Sequence, residues 1–142
     1  MLIDTIDHLV LTVRDLQATC GFYTRVLGML VVTFGQGRTG LVFGEFGEHK
    51  INLHPAGREL EPKAARPTPG SADVCFITRA PLARVLERLR ACKVPVLEGP
   101  VQRTGAKGPI ESVYIRDPDG NLLEISNYLP AADRERAAPP RA

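Results

Sequence analysis

The 142-residue sequence predicts an α+β protein built from two tandem βαβββ modules. Three observations support this fold class. The same order of strand and helix patterns occurs twice, a segment rich in proline and charge separates the two occurrences, and apolar residues alternate along the strands of both. We expect the curved mixed sheets of the modules to form a cup around a site, with the helices outside.

The first strand pattern is "IDHLVLTV", residues 6–13. Every second residue from Leu9 to Val13 is apolar, which predicts one face packed on the protein core. His8 and Thr12 fall on the opposite face. An imidazole on that second face needs an explanation, because the apolar face alone is sufficient to place the strand in a sheet.

The next residues, "RDLQATCGFYTRVLGM", have helical periodicity. Asp15 suits the N-cap and Gly28 suits the position just past the helix end. Three short strand patterns separated by glycine-containing turns complete the first module, at Leu30–Phe34, Thr39–Phe46 and His49–His54.

The second module repeats this order after the linker. "SADVCFIT" predicts a strand, "PLARVLERLRACK" predicts a helix with Pro81 near its first turn, and "DPDGN" predicts a tight turn. Three further strands are predicted at Val94–Leu97, Glu111–Arg116 and Leu122–Asn127. The predicted organisation is therefore a first module at 3–56, a linker at 57–71, a second module at 72–128, and a poorly ordered tail at 129–142.

Alignment of the two modules makes His8 equivalent to Asp73 and Asn52 equivalent to Glu124. All four residues, and His54 two positions along its strand, fall on the face opposite the helices, which would line the cup. Imidazole nitrogen and carboxylate oxygen together suit a divalent cation such as Fe²⁺, Mn²⁺, Ni²⁺ or Zn²⁺. The alternative interpretation is that each residue is an ordinary polar side chain facing solvent.

Three further residues are candidates for substrate contact. Arg103 lies in "VQRTGAKGP", which we interpret as a loop, either an ordinary mobile one or one that could close over the cup and contact an anionic substrate. Tyr114 and Arg116 alternate along a predicted strand and could line the cup, or could face solvent or a partner.

The composition excludes several classes of function. A formal net charge of +2, with scattered Lys and Arg, argues against nucleic acid as a partner. No apolar stretch reaches the roughly 20 residues that a membrane span needs. The three cysteines form no CxxC pair, and the N-terminus lacks a basic segment before an apolar run, so we expect a reducing, cytoplasmic protein without a signal peptide.

Two segments resemble the vicinal oxygen chelate superfamily, which includes glyoxalase I, fosfomycin-resistance proteins, extradiol dioxygenases and bleomycin-binding proteins. "DHLVLTVRDLQATCGFYTRVLGM" resembles its opening module and "VYIRDPDGNLLEI" its closing hairpin. The segment "KINLHPAGRELEPKAARPTPGSADVCFIT" is similar to the glyoxalase-domain-containing subgroup, some of whose members are described as virulence-associated. The resemblance spans nearly the whole chain.

The resemblance implies that His8 and Glu124 are metal ligands, with Glu124 also the catalytic group. It implies a homodimer as well, because members of the superfamily commonly pair. Asn52 stands where glyoxalase I has Glu, and Asp73 stands where many relatives have His. Because an amide cannot ionise, Asn52 cannot abstract a proton as a carboxylate does. The ligand set is thus His8 and Glu124, with Asp73, His54 and Asn52 as the other candidates.

The function predicted from these features is that of a metal-dependent enzyme whose cation, acting as a Lewis acid, chelates neighbouring oxygens of a small substrate. Lyase or isomerase chemistry of the lactoylglutathione lyase kind and ring cleavage of the extradiol dioxygenase kind both remain open. The alternatives are a metal-free protein that binds a small molecule such as an antibiotic, and a thiol transferase of the fosfomycin-resistance kind.

Overall fold

The structure is a computed structural model that describes residues 1–130. The chain divides into two compact units. Unit 1 contains residues 1–72 and 117–121, and unit 2 contains residues 73–116 and, within the described part, 122–130. The predicted tail at 129–142 lies outside the described residues from position 131 onward.

Unit 1 has the predicted βαβββ order. Its elements are β1 (His8–Val13), α1 (Leu16–Leu27), β2 (Leu30–Phe34), β3 (Arg38–Phe43) and β4 (His49–Pro55). The strands form one sheet in the order β1-β4-β3-β2, in which β1 and β4 are parallel and the other pairs antiparallel.

Helix α1 begins and ends where its sequence predicts. The Asp15 side chain accepts a hydrogen bond from the backbone N–H of Ala18, which satisfies one of the free donors of the first turn. Gly28 adopts φ 72°, in the left-handed region that glycine enters at little cost, and its N–H bonds back to the carbonyl of Thr24. Tyr23 and Val26 are buried on the inner side of the helix.

Unit 2 repeats the architecture. Its elements are β5 (Asp73–Ile77), α2 (Leu82–Ala91), β6 (Glu98–Gly105), β7 (Gly108–Arg116) and β8 (Leu122–Tyr128), in a sheet ordered β5-β8-β7-β6. Two tandem βαβββ modules with mixed four-stranded sheets confirm the predicted α+β fold class.

The strand registers support the alignment of the two modules. In unit 1, the residue two positions after His8 pairs with Asn52, and in unit 2 the residue two positions after Asp73 pairs with Glu124. His8 and Asp73 therefore occupy the same place in their sheets, as do Asn52 and Glu124. The equivalence of these positions could be inferred from the sequence, because a shift of the strand pairing by one residue would turn the apolar side chains away from the core.

The "DPDGN" turn at residues 117–121 joins β7 to β8 but packs with unit 1. Oδ2 of Asp117 accepts hydrogen bonds from the Tyr23 hydroxyl at 2.8 Å and from the Asn121 side-chain amide at 2.8 Å. Its Oδ1 accepts from the backbone N–H groups of Asp119 and Asn121. Burial, together with this carboxylate, raises the pKa of Tyr23 far above its usual range, so the phenol stays protonated and donates.

Two sequence predictions in unit 2 are wrong. Val94–Leu97 is not a strand, because Pro95 has no N–H to give to a ladder, and the strand begins at Glu98 instead. The segment "VQRTGAKGP" is not a loop over the cup. Most of it lies in β6 and the start of β7, which form an antiparallel hairpin. Val101 pairs with Ser112 and Gly105 with Gly108, and Gly108 adopts φ 136° after the turn.

Candidate functional site

Strand β4 carries two buried polar atoms without partners. Asn52 is 4% exposed and His54 is 9% exposed, and neither Oδ1 of Asn52 nor Nε2 of His54 has a hydrogen-bond partner among residues 1–130. Both side chains lie on the same face of the sheet, two positions apart, opposite Val10 and Thr12 of β1. A buried polar group without a partner costs about 1–3 kcal/mol, so each of these two atoms gains from contact with water, a ligand or an ion.

His54 is held in its neutral form. Burial is the main cause that lowers its pKa; the positive charge of Arg38 adds to this, and the negative charge of Glu59 opposes it. A neutral imidazole has one nitrogen that donates and one that accepts a proton, a hydrogen bond or a metal ion. His54 therefore has the chemistry expected of a base or a ligand, on the face where the sequence predicts it.

His8 begins β1 and is exposed. Its Nδ1 lies 2.6 Å from Oδ1 of Asp7, and this hydrogen bond is the largest cause that lowers the pKa of Asp7. Because an ionised carboxylate only accepts, Nδ1 carries the proton and Nε2 is the nitrogen left for a ligand. A carboxylate that orients an imidazole in this way is typical of metal-binding histidines.

Glu124 of β8 is held by hydroxyl groups of unit 2. Its Oε2 accepts a hydrogen bond from Ser112 at 2.5 Å, and the Ser112 and Ser126 hydroxyls lie 2.6 Å apart. The Tyr114 hydroxyl also bonds to Glu124. Both serines are fully buried, so the carboxylate is fixed in place by groups that cannot move away. Sequence reasoning missed the two serines, since a serine within a strand gives no sign of its partner.

Of the three weaker candidates of unit 2, Arg103 and Tyr114 are in contact with each other. Arg103 donates from Nε to the Tyr114 hydroxyl at 3.1 Å and from Nη2 to Glu98 at 3.1 Å, so these three side chains form one polar row across β6 and β7. Arg116 is exposed at the end of β7, and Asp73 is exposed at the start of β5. The row adjoins Glu124 through Tyr114.

A cavity of about 420 Å³ lies within unit 1. Its wall comes from the middle of β1, the end of β4, the segment between β4 and β5, and Asn121. His54 contributes to the wall, but neither His8 nor Asn52 does. The volume is in the range of small-molecule sites, which is roughly 300–1,000 Å³. Sequence reasoning treated residues 57–71 only as a linker, because their composition does not reveal that they cover a sheet face.

No three side chains of His, Cys, Asp or Glu within residues 1–130 converge closely enough to hold a metal ion. Taken one by one, donor atoms of the types that bind divalent cations are nevertheless present in each unit. In unit 1, Nε2 of His54 and Oδ1 of Asn52 have no partner among the described residues, and Nε2 of His8 is available because Nδ1 is the atom that bonds to Asp7. In unit 2, hydroxyl groups hold the Glu124 carboxylate in place. The predicted ligand set stays a prediction.

No helix within residues 1–130 is long and apolar enough to cross a membrane.

Comparison with known proteins identifies the family of the chain. Residues 5–125 match the model of the Glyoxalase/Bleomycin resistance protein/Dioxygenase superfamily. Virulence protein STM3117 of Salmonella typhimurium is 57% identical over 91% of this chain and 88% of its own length. The glyoxalase domain-containing protein RDO1 of Mycosarcoma maydis is 54% identical over 89% of this chain and 70% of its own length.

Solved structures agree with the sequence comparison. The crystal structure of virulence protein STM3117 matches with a TM-score of 0.87, over 91% of this chain and all of that one. Lactoylglutathione lyase of Agrobacterium tumefaciens matches with a TM-score of 0.66 at 26% identity, covering 89% of this chain and 96% of that one. A further relative, found by sequence, is biphenyl-2,3-diol 1,2-dioxygenase 2 of Rhodococcus globerulus. It is 32% identical over 83% of this chain, and the match covers 60% of that protein.

Proposed function

The chain belongs to the Glyoxalase/Bleomycin resistance protein/Dioxygenase superfamily, and on this premise we propose that it is a metal-dependent enzyme acting on a small molecule. The observation that carries the proposal is the pair of unpartnered buried atoms on β4, Oδ1 of Asn52 and Nε2 of His54. His8 and Glu124 are the proposed metal ligands, and Asn52, His54 and Asp73 are the remaining candidates.

A bound divalent cation would act as a Lewis acid on neighbouring oxygens of the substrate. The side chains of this protein supply the other roles. His8 is oriented by Asp7, so that Nε2 is available. Glu124, fixed by Ser112, is the proposed acid–base group, and neutral His54 is a second group able to take a proton. Asn52 cannot take that role, so it binds or orients.

Relatives support both reaction types left open by the sequence. A lactoylglutathione lyase and a biphenyl-2,3-diol dioxygenase share the superfamily with this chain. Asn52 in place of an ionisable residue disfavours the lyase reaction, because proton abstraction then depends on Glu124 alone or on His54. Two imidazoles and one carboxylate, His8, His54 and Glu124, are the ligand types that ring-cleaving enzymes with iron use.

Metal titration tests this proposal. After treatment with a chelator, the melting temperature of the protein should rise on addition of Mn²⁺, Ni²⁺, Zn²⁺ or Fe²⁺, since a ligand present at a hundred times its Kd stabilises by about 2.7 kcal/mol. His8→Ala and Glu124→Gln should abolish the rise. His49→Ala and Glu111→Gln are matched controls. His49 lies on the face of β4 opposite Asn52 and His54, and Glu111 lies on the face of β7 opposite Tyr114, the residue that pairs with Glu124. An unchanged melting temperature with all four metals would refute the proposal.

A metal-free binding protein is the second candidate. The cavity of unit 1 favours it, because a space of about 420 Å³ without His8 or Asn52 in its wall accepts a small molecule without help from a metal. This function predicts ligand binding that survives chelation and both ligand substitutions. A thiol transferase of the fosfomycin-resistance kind would require the metal and is separated from the binder by the same titration.

We also propose that the protein is a cytoplasmic homodimer. Leu30 and Val31 are exposed on β2, at the edge of the unit 1 sheet, where apolar side chains favour association with another chain. Cys20, Cys75 and Cys92 are all free of disulfides, as a reducing compartment requires. Sedimentation equilibrium of the protein and of a Leu30→Lys variant tests the dimer: a monomeric wild-type protein would contradict it.

A further inference from the structure

The cavity of unit 1 has few polar groups with hydrogen-bonding capacity to spare. The Thr68 hydroxyl donates to the carbonyl of Arg66, and the Ser71 hydroxyl donates to the carbonyl of Thr68. The Asn121 side chain accepts from the N–H of Ala72 and donates to Asp117. These groups stabilise the wall itself, so they are poor donors for a ligand.

The charged groups with spare donors at the wall are the cationic side chains of Lys63 and Arg66. Within residues 1–130, the Arg66 guanidinium has neither a hydrogen-bond partner nor an ion-pair partner, and it lines the cavity. Lys63 also lines the cavity and lies 3.6 Å from an oxygen of Glu61, which does not line it. The guanidinium carries five N–H donors in a fixed planar arrangement that matches a carboxylate.

The charge of the wall favours an anion. Glu59 is the one carboxylate among the lining residues, and its Oε1 already accepts a hydrogen bond from the N–H of Gly57. Against this single negative charge stand Lys63 and Arg66, so the formal charge of the wall is +1 (two positive charges and one negative). The negative charge of Glu59 is partly neutralised by the backbone, whereas that of a ligand would meet an unpaired guanidinium.

His54 adds a ring nitrogen to the wall of the cavity. It lines the wall, and its Nε2 has no partner. Rotation of the ring by half a turn leaves its outline unchanged and exchanges Nε2 with a ring carbon, so the nitrogen can be brought to a ligand without repacking. The remaining lining residues include apolar ones such as Val10, Pro62 and Pro67, which suit a hydrocarbon portion.

We infer that the cavity of unit 1 binds a small organic carboxylate, with its carboxylate group on Arg66 and Lys63 and its apolar portion toward His54 and Val10. The inference goes beyond the proposed metal-dependent function, because it concerns a cavity whose wall contains neither His8 nor Asn52. It does not require the metal. Recognition should depend on charge and on an apolar portion together, because the wall supplies both.

Calorimetric titration of the full-length protein with benzoate, benzamide and inorganic phosphate tests the inference. Benzoate should bind with a Kd of about 1 mM or tighter, and benzamide and phosphate at least about tenfold more weakly, since one lacks the charge and the other the apolar portion. Lack of benzoate binding up to about 10 mM, or equal binding of benzamide, would overturn the inference.

Substitutions locate the site. Arg66→Gln should weaken benzoate about tenfold and leave benzamide unchanged, whereas His54→Phe should leave benzoate binding nearly unchanged, because a ring of similar outline still contacts the apolar portion. Arg58→Gln is the matched control, because Arg58 is exposed in the same segment and does not line the cavity. Equal effects of Arg66→Gln and Arg58→Gln would refute the assignment.

A final arm separates this inference from the metal proposal. Benzoate binding is measured again in excess chelator and in the His8→Ala variant. If benzoate binding is retained and none of the four metals changes the melting temperature, the inference is supported and the metal proposal is refuted. Stabilisation by metal with no benzoate binding supports the metal proposal and refutes the inference.

Discussion

Substitution of Tyr23 by Phe removes one oxygen atom from the interior of unit 1. Tyr23 is 1% exposed, and its hydroxyl donates to Oδ2 of Asp117 at 2.8 Å. The ring, which fills most of the space, is unchanged. The variant therefore isolates the contribution of a single hydrogen bond between a helix of the first module and the "DPDGN" turn.

The expected cost follows from the surroundings of the carboxylate. A hydrogen bond to a charged group contributes about 1.5–3 kcal/mol. Oδ2 of Asp117 keeps its bond from the Asn121 amide, so the acceptor is not stranded, and the lower half of that range applies. We expect the free energy of unfolding to fall by about 2 kcal/mol, which corresponds to a decrease in melting temperature of roughly 4–8 °C.

Urea unfolding followed by circular dichroism measures the change, because the chain has no Trp to report by fluorescence. Tyr128→Phe is the matched control. The Tyr128 hydroxyl accepts a bond from the exposed N–H of Lys107, which water can replace, so this variant should lose less than about 1 kcal/mol. A loss below about 0.5 kcal/mol for Tyr23→Phe would refute the reasoning, since it would mean that the buried bond contributes nothing net.

Two further predictions concern unit 1. Because the pKa of His54 is lowered in the folded protein, the unfolded chain takes up the proton first as pH falls below about 6.5, and stability should decline there by at most about 1.4 kcal/mol per pH unit. His54→Gln should flatten this decline in urea unfolding at several pH values, whereas His49→Gln should not; identical slopes for both variants would contradict the prediction. Gly70→Ala should cost more than about 2 kcal/mol, since its Cβ would lie 2.4 Å from the carbonyl oxygen of Asp119, while Gly57→Ala, with a similar positive φ and open space, should cost about 1 kcal/mol. Equal losses in thermal unfolding would show that backbone conformation alone, and not the contact, sets the cost.

Local patterns predicted most of the fold. Asp15 and Gly28 bound α1 as expected, because a cap is a property of a few neighbouring residues. Alternation predicted the faces of β1, β4 and β8, because one face of each must be apolar. The errors occurred where proline or glycine interrupts a strand, at Val94–Leu97 and around Gly108, because such residues also mark loops.

The site was predictable only in part. Sequence patterns identified the face that carries Asn52 and His54, and the structure adds that both hold unpartnered atoms. The supporting groups were not predictable. Ser112 and Ser126 acquire their partners through strand register, and Arg66 acquires its place at a cavity through the path of the segment between β4 and β5. Nothing in residues near them in sequence marks these contacts.

The interleaving of the chain has a consequence during synthesis. The turn at residues 117–121 belongs to the first compact unit, where Asp119 accepts from the N–H of Arg14 and Asn121 accepts from that of Ala72. While the ribosome is still producing the second helix, these partners do not yet exist. Completion of the first compact unit therefore requires residues 117–121, and a gene fragment that stops after residue 72 would encode that unit without this turn.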